Sequence, residues 1–370
     1  MDRPDRADTV LRSLLREMAC GRWPSGSRLP PVRQLETEFV TSRLTMLEVL
    51  HRAEAADLLT VQPRQGATVR PAAAERAAKM LAVRRAASHG RRMAVLIPDY
   101  FPKELVPYYW EFAQTIVDDA VPQDIAGEIV EIPILDQVAF AAEFAARGFA
   151  AAVVLGYVPS YLVSLHILKQ QRFPVLLINR EPQSLALPWL NQDEAGAVHG
   201  ILAKLTAMGH RNLCLVRRPL DLDLLQRVTR EKTWVRTLRR AGLIEHCTLP
   251  LHYVPFADMS LTMGGLLDHP RRPTALVFEN GDLCERFLRS PRYRHLKIPR
   301  DLSVATFDRI HEDGWLVDCP PVTTIEPDRH AMTSAILQRV NEMFNGNPEP
   351  ENGHVPMRIR MTDSIAPLGR

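Results

Sequence analysis

Ser42, Arg43 and Thr45 stand together in the stretch Thr41-Ser42-Arg43-Leu44-Thr45, at the expected start of a helix. Backbone N–H groups are free at a helix start. With two hydroxyls beside them they can hold a phosphate. Arg43 adds a planar, two-pronged donor that can reach a guanine edge. A second set of polar residues lies further along, each just after an apolar run. Asp99 follows 93–98, Asn179 and Arg180 follow 174–178, Asn280 follows 274–279, and Asp308 follows 302–307. In open parallel α/β sheets ligands collect at the carboxyl ends of strands, so these groups would converge on one small-molecule cleft between lobes. Plainer roles stay open: Asn280 and Asp308 can cap a helix or form a turn, and the arginines can be surface cations.

Enzyme chemistry finds no foothold. The chain has no G-x-S-x-G, P-loop, G-x-G-x-x-G or H-E-x-x-H pattern, and its 12 histidines are scattered. His210 falls at a strand start, away from the expected cleft, and reads as structural. The five cysteines (Cys20, Cys214, Cys247, Cys284 and Cys319) are odd in number and lack metal-ligand spacing. Neither a disulfide framework nor a metal site is expected, no cofactor is implied, and a reducing compartment fits.

The elements that must position these residues follow from periodicity. Val10, Leu11, Leu14, Leu15 and Met18 make one helical face. A second helix starts near Pro31 and runs to about Phe39, with Pro31 in its first turn. A third runs from Arg43 to about Ala56 with Ser42 as N-cap and Met46, Val49, Leu50 and Ala53 facing inward. Two β-like runs follow, Leu58 to Gln62 and Ala67 to Arg70. Three helices and a hairpin outline a winged helix-turn-helix. Residues 73–92 are Ala- and Arg-rich and read as a linker, either a short helix or a tether. From residue 93, apolar runs at 93–98, 128–134, 150–156, 174–178, 212–216, 249–254, 274–279 and 302–307 alternate with helical stretches. That implies parallel sheets in two α/β lobes. The expected division is therefore a head over 1–72, a linker over 73–92 and a two-lobed domain over 93–370.

Charge is uneven along this plan. Residues 1–70 hold eleven arginines against nine acids, and residues 71–92 hold six basic residues against one acid, while the remainder is net negative. Positive charge in the first quarter favours a polyanion there, or is simply a solvated linker. The N-terminus has no apolar h-region and no apolar run approaches 18 residues, so a cytoplasmic protein without a membrane span is expected.

Three blocks, Arg28-Leu29-Pro30-Pro31-Val32-Arg33-Gln34-Leu35, Thr41-Ser42-Arg43-Leu44-Thr45 and Gln65-Gly66-Ala67-Thr68-Val69, resemble the GntR family of winged-helix regulators. The resemblance implies DNA contacts by Arg33, Ser42, Arg43 and Gly66, and Thr45 at the helix start and Gln65 beside the wing glycine are further DNA-binding candidates. Leu47 stands where that family often has a further arginine, Pro31 where it usually has a capping Ser, and Asp57 where it usually has Gly. Leu47 implies an altered operator.

Blocks over 93–367 resemble the effector domain of lactose-repressor-type regulators, with a type I periplasmic-binding-protein fold. They include Asn191 to Gly196, Met208 to Asn212, Pro273 to Leu276, Ile298 to Val304 and Pro320 to Ile325. The whole chain is similar to arabinose-repressor-type chimeras. This resemblance implies ligand contacts by Arg230, Asn280 and Asp308, with Trp234 as packing. Arg309, where the family has Asp, would favour an anionic ligand. The expectation is a homodimeric, ligand-responsive repressor of carbohydrate-related genes. It would bind double-stranded operator DNA and a sugar, sugar derivative or sugar phosphate. The alternatives are a sugar-type solute-binding protein and a regulator whose pocket is lost.

Overall fold

The computed structural model describes residues 6–62, 66–99, 107–156, 161–179, 185–219, 225–255, 259–310 and 319–368. Helix α1 (Arg6–Ala19) buries Val10, Leu11, Leu14, Leu15 and Met18, the stripe that a 3.6-residue period places on one face. Pro31 is the N-cap of α2 (Val32–Glu38), one position outside the helix, and supplies no side-chain cap. The third helix, α3 (Arg43–Ala55), is capped by Ser42, whose Oγ accepts the Thr45 N–H at 3.2 Å. It buries Met46, Val49, Leu50 and Ala53 in a core shared with α1. Strands β1 (Leu59–Gln62) and β2 (Gly66–Val69) form an antiparallel hairpin with Leu59 opposite Val69, and Arg28 bridges to Thr68 at its side. This is a winged helix-turn-helix.

Asp57 sits before β1 with φ 61°, a left-handed conformation that glycine adopts freely and Asp tolerates. Its carboxylate repays the substitution by pairing with Arg70 and, at 2.6 Å, with Arg76. Arg76 belongs to α4 (Ala73–His89), so the Ala/Arg-rich stretch is a helix, and its Ala73 and Ala77 are buried in the core of the head.

The remaining chain alternates. It runs β3 (Arg92–Pro98), α5 (Pro107–Ala120), β4 (Ala126–Ile132), α6 (Gln137–Phe144), β5 (Ala151–Val154), α7 (Leu162–Gln170), β6 (Val175–Ile178), β7 (Trp189–Gln192) and α8 (Glu194–Ala207). It continues through β8 (Leu213–Arg217), α9 (Leu225–Arg240), β9 (Leu251–Tyr253), α10 (Met259–Leu267), β10 (Ala275–Phe278), α11 (Gly281–Arg289) and β11 (Ser303–Phe307). It closes with β12 (Thr323–Pro327), α12 (Arg329–Phe344), β13 (Gly353–Val355) and β14 (Met357–Arg360).

Two compact units result. One comprises residues 1–190 and 333–353, the other 191–332 and 354–370, so the chain passes between them three times. The first holds the head, α4 and most of a six-stranded sheet of order β13-β7-β6-β5-β3-β4, whose β7 and β13 run across the divisions at 190/191 and 353/354. Within it Arg172 donates to the Ala19 carbonyl at the end of α1, and Gly346 (φ 96°) lies against Lys79 and Val83 of α4. The second holds a six-stranded sheet of order β14-β12-β11-β10-β8-β9, parallel except for the antiparallel β12–β14 pair. Every residue of β5, β6, β8, β10 and β11 is buried, as strands covered on both faces must be.

Candidate DNA interface and effector site

In the head, Arg28, Arg33 and Arg43 are exposed. Among the described residues none of the three forms an ion pair. Their neighbours do: Arg22 pairs with Glu17 and Glu38, and Arg52 with Glu48 and Asp8. An arginine without an internal carboxylate keeps its charge for an external phosphate. Ser42 and Thr45 sit at the start of α3 as expected, with their hydroxyls 2.9 Å apart. Because Ser42 already takes the Thr45 N–H, the earlier N–H groups of the helix are the ones left for an anion. Gly66 is exposed with φ 89°, and a Cβ there would meet nothing within 4 Å, so its conformation rather than space calls for glycine. Gln65 lies outside the described residues.

In the second unit, Arg230, Asn280 and Asp308 meet at the carboxyl ends of β10 and β11. Arg230 on α9 is buried (7% exposed). Its Nε donates to Glu194 Oε2 at 2.6 Å, Nη2 to Glu194 Oε1 at 3.1 Å, and Nη1 to the Glu279 carbonyl at 2.6 Å. The guanidinium also stacks 4.1 Å from the Phe307 ring centre. Burial alone would lower its pKa, but attraction to Glu194 and then Asp308 outweighs this and holds it above the ordinary value. Such two-pronged pairing is what lets a buried arginine keep its charge.

Asn280 does cap α11, its Oδ1 accepting the Leu283 N–H at 2.9 Å. Asp308 has φ 64° and donates its N–H to the Ile325 carbonyl at 3.0 Å. The two loops press together, because a Cβ on Gly281 would lie 1.9 Å from the Arg309 carbonyl oxygen. Beside them, buried Arg217 pairs with Glu231 and lies 4.0 Å from Glu279, which also accepts the Arg218 N–H at 2.8 Å. Three guanidinium groups (Arg217, Arg218 and Arg230) thus share four carboxylates (Glu194, Glu231, Glu279 and Asp308). The set offers donors and acceptors together, which suits hydroxyl groups, and carries no excess positive charge.

The expectation drawn from Arg309 changes here. Its Nε binds Glu326 at 2.7 Å and its side chain is 78% exposed, so it does not supply an uncommitted cation to the site.

Asp99 and Asn179 sit at strand ends of the first unit. The Asp99 carboxylate accepts the Ile134 N–H at 3.2 Å, holding the turn after β4, and Asn179 has φ 58° and donates to the Leu190 carbonyl at 3.0 Å. Arg180 lies outside the described residues. His210 is buried at 2% exposure between Thr274 Oγ1 and the Ala366 carbonyl, both at 3.0 Å. Burial lowers its pKa against a smaller opposing pull from Ala366. Trp234 is fully buried and donates to the Pro250 carbonyl at 2.8 Å, which makes it packing. Among the described residues no cluster of His, Cys, Asp and Glu could hold a metal, and no helix is long and apolar enough to cross a membrane.

Residues 6–69 match the profile of the gntR family of bacterial regulatory proteins, and residues 202–364 match that of the periplasmic binding protein-like domain. The head is thus similar to gntR-type regulators, and residues 202–364 to a periplasmic binding protein-like domain. The chain's relatives include the HTH-type transcriptional repressor CytR of Escherichia coli, 27% identical over 46% of this chain and 49% of that one. The HTH-type transcriptional regulator MalR of Streptomyces coelicolor is 25% identical over 51% of this chain and 55% of that one. The chain therefore spans about half the length of these curated relatives. Among solved structures, the LacI-family regulator CCPA of Weissella paramesenteroides with bound sucrose superposes with a TM-score of 0.59 at 17% identity, covering 75% of this chain and 100% of that one. The lac repressor dimer bound to operator and an anti-inducer gives 0.59 at 15%, covering 78% and 98%. At these identities the likeness establishes the fold.

The second unit carries polar groups that reading the sequence missed. Glu194 binds Arg230 directly, and Glu279, Arg217 and Glu231 continue the same network of ion pairs. Glu279 and Arg217 had a legible signal, Glu279 being the polar last residue of the run 274–279 and Arg217 the residue just after the run 212–216. Glu194 had none, since its partner Arg230 lies 36 residues away.

Proposed function

We propose that this chain is a cytoplasmic, homodimeric transcription repressor of carbohydrate-related genes, not an enzyme, whose operator affinity is set by a small polyhydroxylated effector. The observation that carries this reading is the set of exposed arginines on the head, Arg28, Arg33 and Arg43, without carboxylate partners beside the capped start of α3. Arg33, Ser42, Arg43, Thr45, Gln65 and Gly66 contact operator DNA. Arg230, Asn280 and Asp308 contact the effector in the second unit, while Asp99, Asn179 and Arg180 belong to the effector surface of the first. The sucrose-bound neighbour supports a saccharide. An exposed apolar patch supports the dimer: Ile134, Leu135, Val138 and Val163 are 41%, 73%, 64% and 48% exposed and adjoin through the Gln137–Ser164 hydrogen bonds, a feature of association surfaces. The test combines operator selection and gel shift with thermal-shift screening of sugars and sugar phosphates. A protein that retards no duplex would overturn the reading.

One observation favours a second reading. Arg230 is already held by Glu194 and the Glu279 carbonyl, as it would be in a regulator whose pocket is closed for good. A sugar that shifts the melting temperature, and loses that shift in Asp308→Asn, rules this out.

A further inference from the structure

Eight of the ten leucines between residues 6 and 70 are buried: Leu11, Leu14, Leu15, Leu29, Leu35, Leu50, Leu58 and Leu59. The other two are Leu44 and Leu47 on α3, 81% and 45% exposed. They are three residues apart, so they lie on one face of the helix, and that face is turned away from the buried Met46, Val49, Leu50 and Ala53. Arg43, Glu48 and His51 share the exposed face. Glu48 is occupied by Arg52, which neutralises the one carboxylate on the stripe. Val40, in the turn before α3, is 77% exposed with φ 47°, a strained conformation for a β-branched residue. The head gains nothing internally from displaying these aliphatic groups.

We propose that α3 reads thymine through its C5-methyl groups, with Leu44 and Leu47 as the specificity-determining residues. This rests on the reading of the head as a DNA-binding module. The surroundings of the stripe fix its occupant. The stripe shares its helix with Arg43 and the capped start, and the same small head carries the exposed, unpaired Arg28 and Arg33 and the exposed Gly66 of the hairpin. In the major groove the thymine methyl projects from the floor and phosphates line both edges, so the two patterns match. Leu47 has no hydrogen bond to offer, so discrimination at the base it faces rests on the thymine methyl.

The test begins with duplexes selected from a random pool by the full chain. Each thymine of the selected half-site is then replaced by uracil, which keeps every hydrogen bond and removes one methyl. Binding should weaken about fourfold at each contacted position, the loss expected for one buried methyl-sized group. The salt dependence should not change, since no phosphate contact is touched. Leu44→Ala and Leu47→Ala alter exposed side chains, should retain the wild-type circular dichroism, and should each abolish the uracil penalty at one position. Uracil-substituted duplexes that bind as tightly as the selected one would overturn the thymine reading and leave DNA binding intact. Selection of no duplex at all would overturn both.

Discussion

The two arginine-rich regions of this molecule use one side chain in opposite ways. In the head, Arg33 and Arg43 are exposed and carry no ion pair among the described residues. In the second unit, Arg217 and Arg230 are 1% and 7% exposed and held by Glu231 and Glu194. An exposed arginine costs the fold nothing and waits for a polyanion in trans. A buried one must be neutralised within the fold, because taking a lone charge out of water costs several kcal/mol. Mutations in the head should therefore change binding and leave stability alone. Mutations in the second unit should change stability first, and an effector there must exchange with contacts that already exist.

The sharpest way to break this contrast is Glu194→Ala. It leaves the Arg230 guanidinium buried without its two-pronged partner, held by the Glu279 carbonyl, the Phe307 face and the longer-range attraction of Asp308 and Glu279. Removing one partner of a buried pair costs about 3–5 kcal/mol, so the second unit should unfold at clearly lower denaturant, followed by amide exchange in β8, β10 and β11. A loss near zero would mean that water reaches Arg230 and that the two regions do not differ in kind.

Gly281→Ala comes next. Its Cβ would sit 1.9 Å from a backbone oxygen, that of Arg309, so the loops after β10 and β11 must part. Overpacking of this sort costs about 1–3 kcal/mol, and effector binding should fall with it because Asn280 and Asp308 flank the contact. An unchanged melting temperature would contradict the close approach.

Arg43→Ala and Arg33→Ala sharpen the other side. A lost guanine contact should cost about 1–3 kcal/mol of operator binding and relax specificity, while a lost phosphate contact should weaken all sequences and flatten the salt slope. Stability should stay within about 0.5 kcal/mol in both. Fluorescence anisotropy and thermal melts on the same samples check this, and unchanged operator affinity in both variants would remove the head from the DNA-binding reading.

The same contrast explains what the sequence made legible. The helix face of α1, the Ser42 cap and the four inward residues of α3 are local, and periodicity alone finds them. All eight apolar runs are strands. The strands β7, β12, β13 and β14 were missed because segments such as Trp189-Leu190-Asn191-Gln192 and Met357-Arg358-Ile359-Arg360 are short and partly polar. Their pairing partners, not their own composition, keep them extended. The strand-end rule found Asn280 and Asp308 but not Glu194, because the pairing of Glu194 with Arg230 exists only once α8 and α9 have packed. Asp57 looked like a mere departure from glycine, and its left-handed backbone shows why glycine suits the position.

A pH series separates the regions by their histidines. Burial depresses the pKa of His210, and likewise of His252, against smaller opposing hydrogen bonds to Ala366 and Thr262. The unfolded chain, with ordinary imidazoles near pKa ~6.5, therefore takes up protons that the folded unit refuses. The stabilising effect is complete above about pH 6.5 and is lost progressively as the pH falls below it. His51 in the head is exposed. Amide exchange at pH 7.5 and 5.5, corrected for intrinsic rates, should show protection falling in the second unit more than in the head. Equal losses would assign the acid sensitivity elsewhere.

The smallest expected effect concerns Arg309, and it bears on the chemistry of the effector. Its guanidinium is 78% exposed and its partner Glu326 is half-shielded at the end of β12. Burial pushes the Glu326 carboxyl up, but hydrogen bonds from Thr324 and Arg309 win and hold it below the ordinary value. An ion pair with one fully hydrated partner contributes about 0–1 kcal/mol. Arg309→Ala should thus lower stability by no more than that above pH 5, and by less as the pH falls through the Glu326 titration and the pair is lost anyway. A cation engaged in this way does not draw an anionic ligand, and the carboxylates around Arg230 would repel one. Calorimetry of Arg309→Ala with a neutral sugar and with its phosphate should therefore show the same preference as the parent chain. A selective loss of phosphate binding in the variant would show that Arg309 leaves Glu326 for the ligand. The effector site would then draw on an exposed arginine just as the head does.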